Sequence, residues 1–502
     1  MLSWLITLLL GGGLLAAGLG RLHPQAARWV ALAVLGLALL WLLPLLGRAT
    51  GGPWQPGEGA WLLLEQHAWI PRFGIQLLLG LDGLSLLLLL LTLVLGLVAV
   101  AASWWEIEQQ EGFYYANLLW SLAGVVGVFT ALDLFLFFFF WEVMLIPMYF
   151  LIGIWGHEAR HYAAIKFFIY TQASSLLMLV GILGLAFLHQ QEQGSYSFSY
   201  FDLLGSGDRS PHGFWLMLGF FIAFVVKLPA FPLHTWLPDA HTQAPTAGSI
   251  ILAGVLLKTG AYGLIRFLIP LFPDSLTSFG PIAMGLGVAG ILYAAVVAFA
   301  QTDLKRLIAY TSISHMGFVL LGVYAWNSLA LQGAVLQMLT HGLSSAALFM
   351  LAGALQQRLH TRELSRMGGL WRYAPRIGFI ALFFAMASLG MPGLGNFVAE
   401  FLVLAGSFQV NLPMTLIAAL GLITAAVYAL IMIQKAFHGP APSAPALVDF
   451  DRREVTAMAV MMLGLLWMGL YPQPLIDSLG PVLDQLQRTA AVSLETVHWS
   501  QR

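Results

Sequence analysis

Long apolar stretches separated by short polar ones run the length of this 502-residue chain. A helix that crosses a bilayer needs roughly 20 mostly apolar residues. Fourteen stretches meet that measure, beginning near Leu2, Ala26, Leu81, Tyr114, Leu132, Ala163, Phe214, Ala244, Ser278, Leu304, Leu329, Ala374, Leu412 and Val455. The two longest interruptions, residues 47–80 and 189–213, are polar and contain glycine, so they are read as loops. The first stretch has no basic leader and no small-residue cleavage site, and is read as the first span rather than a removable signal. The pattern predicts an all-α polytopic membrane protein with 14 transmembrane helices.

Composition agrees. Hydrophobic residues make up 59% of the chain and charged residues only 9%, against about 25% charged in a soluble domain. With 22 Lys+Arg against 23 Asp+Glu the net charge is −1, which gives a nucleic acid nothing to bind. Cysteine is absent, so disulfides and thiolate-held iron–sulfur clusters are excluded. The 13 histidines are scattered, without an HExxH pattern. The chain is expected to hold no cofactor or metal of its own. The few charges inside apolar stretches then carry the information, because ionisable groups within a membrane are costly and mark function.

Fourteen basic residues, among them Arg21, Arg28, Arg306, Arg358, Arg452 and Arg453, fall in one set of loops. Six (Arg48, Arg72, Arg209, Arg266, Arg488 and Arg502) fall in the other, and Lys227 and Lys258 lie inside spans. The basic-rich side faces the cytoplasm, which places both termini outside it. An offset of 170 sets Asp133-Leu134 on Asp303-Leu304 and Ser174-Ser175 on Ser344-Ser345. Five helices lie within one offset, and an odd number reverses direction, so the segments 114–268 and 278–437 read as inverted repeats. Residues 1–113 supply helices 1–3, and 453–502 the last helix and tail.

Two spans are broken, the seventh by Pro229 and Pro232 after Lys227, the twelfth by glycines and Pro392 before Glu400. Proline removes a donor, so the carbonyls of Val225 and Leu228 lose helical partners and leave a partly negative half-helix end beside Lys227. Asn396 reads as an N-cap, with Glu400 near the first turn that follows. Irregular backbone at this depth is tolerated where it lines a wet cavity, and a plain hinge needs neither charge. Glu142, alone in an apolar fifth span, requires a proton or a cation, and Lys227 is the candidate partner. Lys258 has no acidic neighbour in sequence, and burial makes such a lysine able to exchange a proton. His315 and His341 lie between Lys258 and Glu400 in chain order, and His341 shares a helix face with Ser344 and Ser345; a proton relay is favoured over two satisfied core histidines. Lys166, and the pair His234 and His241, read equally as accessory proton groups or as structural side chains.

These residues resemble the antiporter-like membrane subunits of complex I, the proton-pumping NADH:quinone oxidoreductase. The resemblance spans nearly the whole chain and is most specific in KLPAFPLHTWLPDAHTQAPTAGSIILAGVLLKTGAYG (227–263) and TDLKRLIAYTSISHMG (302–317). The stretch GNFVAEF around Glu400 resembles the M-like (chain 4) branch, since L-like and N-like members carry lysine there. The resemblance implies discontinuous helices 7 and 12, a Glu142–Lys227 pair, a central Lys258, connecting His315 and His341, and a terminal proton-exchanging Glu400. It also implies L-like and N-like neighbours in the membrane arm, with NADH, FMN, iron–sulfur clusters and quinone in partner subunits. The expected setting is a bacterial inner (plasma) membrane. A cation/proton antiporter or membrane-bound hydrogenase subunit is the alternative, and a purely structural spacer is a third reading.

Overall fold

The computed structural model describes residues 1–50, 60–440 and 447–500. Arg502 and the side chain of Arg48, both counted in the charge asymmetry, lie outside the described residues. In chain order the principal elements are α1 (Leu2–Leu22), α2 (Pro24–Thr50), β1 (Trp61–Ile70), β2 (Ile75–Asp82), α3 (Gly83–Ala102), α4 (Glu111–Thr130), α5 (Leu134–Val143), α6 (Leu145–Trp155) and α7 (Arg160–Gln193). There follow α8 (Gly213–Lys227), α9 (Trp236–Gln243), α10 (Thr246–Leu271), α11 (Gly280–Phe299), α12 (Leu304–Ala325) and α13 (Ser328–Leu359). Last come α14 (Pro375–Ser388), α15 (Gly395–Phe408), α16 (Leu412–Phe437), α17 (Arg452–Leu470) and α18 (Gln473–Ser500). Every predicted start lies within three residues of an observed one.

Among the described residues, 12 helical stretches are long and apolar enough to cross a membrane, α5 and α6 together making one; α8, α14 and α15 are shorter apolar helices. The chain is therefore a polytopic helical membrane protein. It is not all-α, however: β1 and β2 pair antiparallel, from Trp61 opposite Asp82 to Ile70 opposite Ile75. This hairpin occupies most of what reads as a loop, because its apolar residues lack the clean alternation that marks a half-exposed strand. Gly74, with φ at 70°, makes the turn. The second expected loop also shrinks, since α7 runs on to Gln193.

Helix starts are fixed by aspartates. Asp82 accepts from the Ser85 amide at the head of α3, Asp133 from Phe135 and Leu136 at α5, and Asp303 from Arg306 at α12. Each satisfies N–H groups that a helix terminus leaves bare. Leu134 and Leu304 then donate to the carbonyls of Phe198 and Arg362, 2.8 and 3.0 Å away.

Helices α10, α12 and α13 form the interior, with α10 and α13 buried throughout their apolar stretches. The outer helices turn leucines and isoleucines outward, such as Leu14, Ile169 and Ile423, an apolar surface no water-soluble protein keeps. Arg266, read in sequence as a loop residue, sits inside α10. Its guanidinium is buried, donates to the buried Asp82 carboxylate and lies 5.0 Å from the centroid of the Trp61 ring.

Breaking a buried ion pair from one side leaves an uncompensated charge and costs about 3–5 kcal/mol, whereas replacing both partners by apolar residues is near neutral. Arg266→Met is therefore expected to lower the thermal unfolding midpoint of the detergent-solubilised subunit clearly, and adding Asp82→Asn, which removes the stranded charge and keeps the α3 cap, to restore most of it. A pH effect is expected at the Asp208 turn. Burial pushes the Asp208 carboxyl up to about 7, with Asp274 beside it. The penalty of ionising it is absent below its ordinary value and complete above the shifted one. Asp208→Asn should raise the midpoint at pH 8 and leave it unchanged at pH 4.

Candidate functional site

The charged residues of the broken spans converge on the core helices. Helix α8 ends at Lys227 because Pro229 and Pro232 cannot donate. The Val225 carbonyl does not go bare as expected: the Ala230 amide reaches it at 2.9 Å across an extra residue, and the Trp236 indole donates to the Val226 carbonyl at 3.0 Å. The Lys227 ammonium is buried and has no hydrogen-bond partner among the described residues. It lies 5.4 Å from the Trp141 ring centroid and 5.6 Å from that of Phe167, where aromatic faces offset part of its lost hydration. Glu142, on α5, accepts instead from the Ser175 hydroxyl at 2.5 Å. The Glu142–Lys227 pair that the resemblance implies is thus not a direct contact in this structure.

Helix α10 is interrupted on both sides of Lys258 by π-helical segments, Leu252–Leu256 and Leu264–Leu268, bulges that recur at functional sites. The first one exposes a carbonyl: the Lys258 ammonium donates to Ala253 O at 2.7 Å. It also lies 2.8 Å from His341 Nδ1 on α13. Gly260 brings α8 against the same stretch, since a Cβ there would sit 2.3 Å from the Phe224 carbonyl oxygen and 3.1 Å from Lys227 Cβ.

From His341 the polar line continues. Its ring centroid is 5.6 Å from that of His315 on α12. His315 Nδ1 is 2.7 Å from Glu400 Oε1, and its Nε2 faces Ser388 Oγ at 3.2 Å and the Tyr428 hydroxyl at 3.0 Å. The Gln337 amide donates to Glu400 Oε1 at 2.8 Å, while Oε2 has no partner among the described residues. Two local expectations change. Helix α15 starts at Gly395 with Leu394 as its cap residue, so Asn396 is no cap; its amide donates to Ser344 Oγ at 3.2 Å. Glu400 therefore lies in the second turn, where His315 and Gln337 supply what the helix dipole no longer does. The hydroxyls of Ser344 and Ser345 turn back onto the His341 carbonyl rather than lining a polar stripe.

The accessory candidates stand apart. Lys166 donates to Asp239 at 2.7 Å in a partly exposed cluster with Arg306. His234 is buried beside Phe231 and Tyr293. His241 stacks on Phe349 with centroids 4.1 Å apart. All four ring nitrogens of these two histidines lack partners among the described residues.

Sequence reasoning missed Tyr428, Gln337, Ser388 and Ser175, all ordinary residues of apolar helices. One signal was available: Tyr428 lies 170 residues after Lys258. It also missed a buried cluster at the arginine-rich end. Glu106, in the turn after α3, accepts from the backbone and hydroxyl of Thr246 at 3.0 and 2.9 Å. Lys305, counted as a loop residue, is fully buried there. It donates to the Ala244 carbonyl at 3.2 Å and lies 3.4 Å from His157. Burial raises the Glu106 carboxyl above its usual range, against the pull of Lys305. Burial likewise drives His157 down to about 3, with the charges of Lys305 and Arg362 acting the same way. No group of three metal-ligating side chains occurs among the described residues.

The arrangement has relatives. Residues 131–427 match the family described as NADH:quinone oxidoreductase/Mrp antiporter, TM. The chain is 51% identical to NADH-quinone oxidoreductase subunit M of Pseudomonas aeruginosa and 51% identical to that of Escherichia coli, each alignment covering 99% of both chains. It superposes on a chain of respiratory complex I from Thermus thermophilus with TM-score 0.87 at 31% identity, covering 98% of this chain and 100% of that one. A chain of the Mrp complex from Dietzia sp. shares the fold, with TM-score 0.86 at 21% identity over 98% of each chain. A polytopic chain with a buried lysine–histidine–glutamate line and these relatives belongs to the NADH:quinone oxidoreductase/Mrp antiporter family of membrane subunits, within its subunit M line.

Proposed function

We propose that the chain is a proton-translocating membrane-arm subunit of NADH-quinone oxidoreductase, set in a bacterial inner membrane between L-like and N-like neighbours. One observation carries this reading: Lys258, His341, His315 and Glu400 form a buried line through the core helices. Redox chemistry belongs to partner subunits, which hold NADH, FMN, the clusters and quinone.

In this reading α8 is the seventh crossing and α14 with α15 the twelfth, fourteen in all. Segments 114–268 and 278–437 are inverted five-helix repeats, after helices 1–3 in 1–113 and before the last helix and tail in 453–502. The matched Asp133 and Asp303 caps, each followed by a leucine pairing with a distant strand-like segment, support the repeat. The charge asymmetry places the arginine-rich loops in the cytoplasm and both termini outside it.

Protons move from the cytoplasm past Lys227 to Lys258, then through His341 and His315 to Glu400. A carboxylate beside an ammonium holds its proton, and separating the two releases it. Glu142, held by Ser175 away from Lys227, is in the separated arrangement. His315 is oriented by Ser388 and Tyr428, which fixes the nitrogen presented to Glu400. The free Oε2 of Glu400 is the release face. His234 and His241 act as accessory uptake groups, and Lys166 holds the neighbouring surface cluster.

General acid–base groups contribute about 10²–10⁴-fold, so Glu400→Gln or Lys258→Ala in the assembled complex should cut NADH-driven proton pumping at least about tenfold, with assembly intact. Glu400→Asp, which keeps the exchangeable proton, should retain a large part of it. Unchanged pumping per NADH in Lys227→Ala and in Glu400→Gln would rule the route out.

A further inference from the structure

Helices α2, α3 and α17 part at their arginine-rich ends to leave an apolar groove of about 570 Å³, lined among others by Trp29, Leu39, Val98, Ala457 and Val460, with Arg453 at its mouth. The groove is one leaflet deep: from Trp29 to Leu39 is ten residues, about 15 Å at 1.5 Å per residue. That is about half of the ~30 Å hydrocarbon thickness. A neighbouring subunit's crossing helix would need a groove through both leaflets. An acyl chain needs one.

The mouth carries the specificity. Arg28 and Arg453 flank the Trp105 ring, 5.7 and 5.8 Å from its centroid. They are not equivalent. Arg28 is neutralised by two 2.8 Å bonds to Glu111. Arg453 has only Asp451, 3.5 Å from Nη2, and its Nε and Nη1 have no acceptor among the described residues. Its neighbours are already paired, Arg28 with Glu111 and Arg358 with Glu454, which leaves Arg453 the guanidinium here with donors to spare among the described residues. A guanidinium held largely from water without acceptors gains most from an anionic oxygen, and phosphate suits it. Trp29 and Trp104, edge to face at 5.2 Å, give the mouth the aromatic character of a membrane interface. On the other face of α17 a second groove of about 730 Å³ opens beside Arg452 and Arg376. The same pairing of apolar groove and arginine therefore occurs twice around one helix.

We infer that the α2–α3–α17 groove is a binding site for an anionic phospholipid of the arginine-rich leaflet, its acyl chain along Leu39 and Val460 and its phosphate on Arg453. A turn of the flexible Arg453 side chain brings Nε and Nη1 to the phosphate. The site lies away from the buried lysine–histidine–glutamate line and does not depend on its role.

Val460 lines the groove and is 47% exposed, so a photo-crosslinking residue there samples the occupant. Val460→p-benzoylphenylalanine, irradiated in the whole complex in its native membrane, should yield phospholipid adducts enriched in anionic head groups relative to the bulk membrane. Combined with Arg453→Gln, that adduct should fall about tenfold, as loss of one charge-assisted hydrogen bond predicts. Arg453→Lys, which keeps the charge, should retain most of it. An adduct to another protein subunit would overturn the proposal. So would a lipid adduct whose head-group composition is that of the bulk and is unmoved by Arg453→Gln.

Discussion

Placing an ammonium at the centre of a membrane protein is the constraint from which the rest of this structure follows. Lys258 is fully buried, and water cannot solvate it there, so the protein must. The π-helical turn before it frees the Ala253 carbonyl, and His341 supplies the second contact. Both come from helices buried throughout. His315 and Glu400 extend the polar line across the second half. A purely structural ion pair would have stopped at one partner. Here four ionisable side chains lie in sequence, and Gln337 holds Glu400 while Ser388 and Tyr428 hold His315.

The breaks in the helices serve this line. Without Pro229 and Pro232, α8 would continue past Lys227, its last carbonyls paired within the helix rather than with the Ala230 amide and the Trp236 indole. Without the glycines before α15, Glu400 would not face α12 and α13. Glu142 and Lys227 stand in each other's neighbourhood without touching, Glu142 bonded to Ser175 and Lys227 set over the Trp141 and Phe167 rings with no hydrogen-bond partner among the described residues. In the proposed route, a proton shift at Lys227 needs only a side-chain exchange, not a rearranged backbone.

The spans were legible because a membrane imposes one length and one polarity on every crossing, and each predicted start falls within three residues of the observed one. The buried charges were legible for a related reason, since a lysine or glutamate in an apolar run has no innocent surface to occupy. The hairpin was not, because its apolar residues do not alternate: every residue of β1 is at least partly exposed while β2 is mostly buried, and neither shows the period of a half-exposed strand. Nor was Lys305, a lysine two residues past a cap, which reads as a loop residue until α10 and the Glu106 turn close over it. Arg266 misled in the same way: its partner Asp82 is distant in sequence, and only the packed fold pairs them. Tyr428 and Gln337 are uncharged, and no composition argument singles them out.

The central claim is that Glu400 changes its protonation as the complex turns over. The most direct measurement is infrared difference spectroscopy of the whole complex in membranes, recorded on NADH addition, for the wild-type chain and Glu400→Gln. The account predicts a carboxyl band in the wild-type difference spectrum that shifts in deuterium oxide and vanishes in Glu400→Gln, while Glu454→Gln leaves it in place. A wild-type spectrum whose carboxyl bands are unchanged by Glu400→Gln would contradict it, leaving the buried line a structural network.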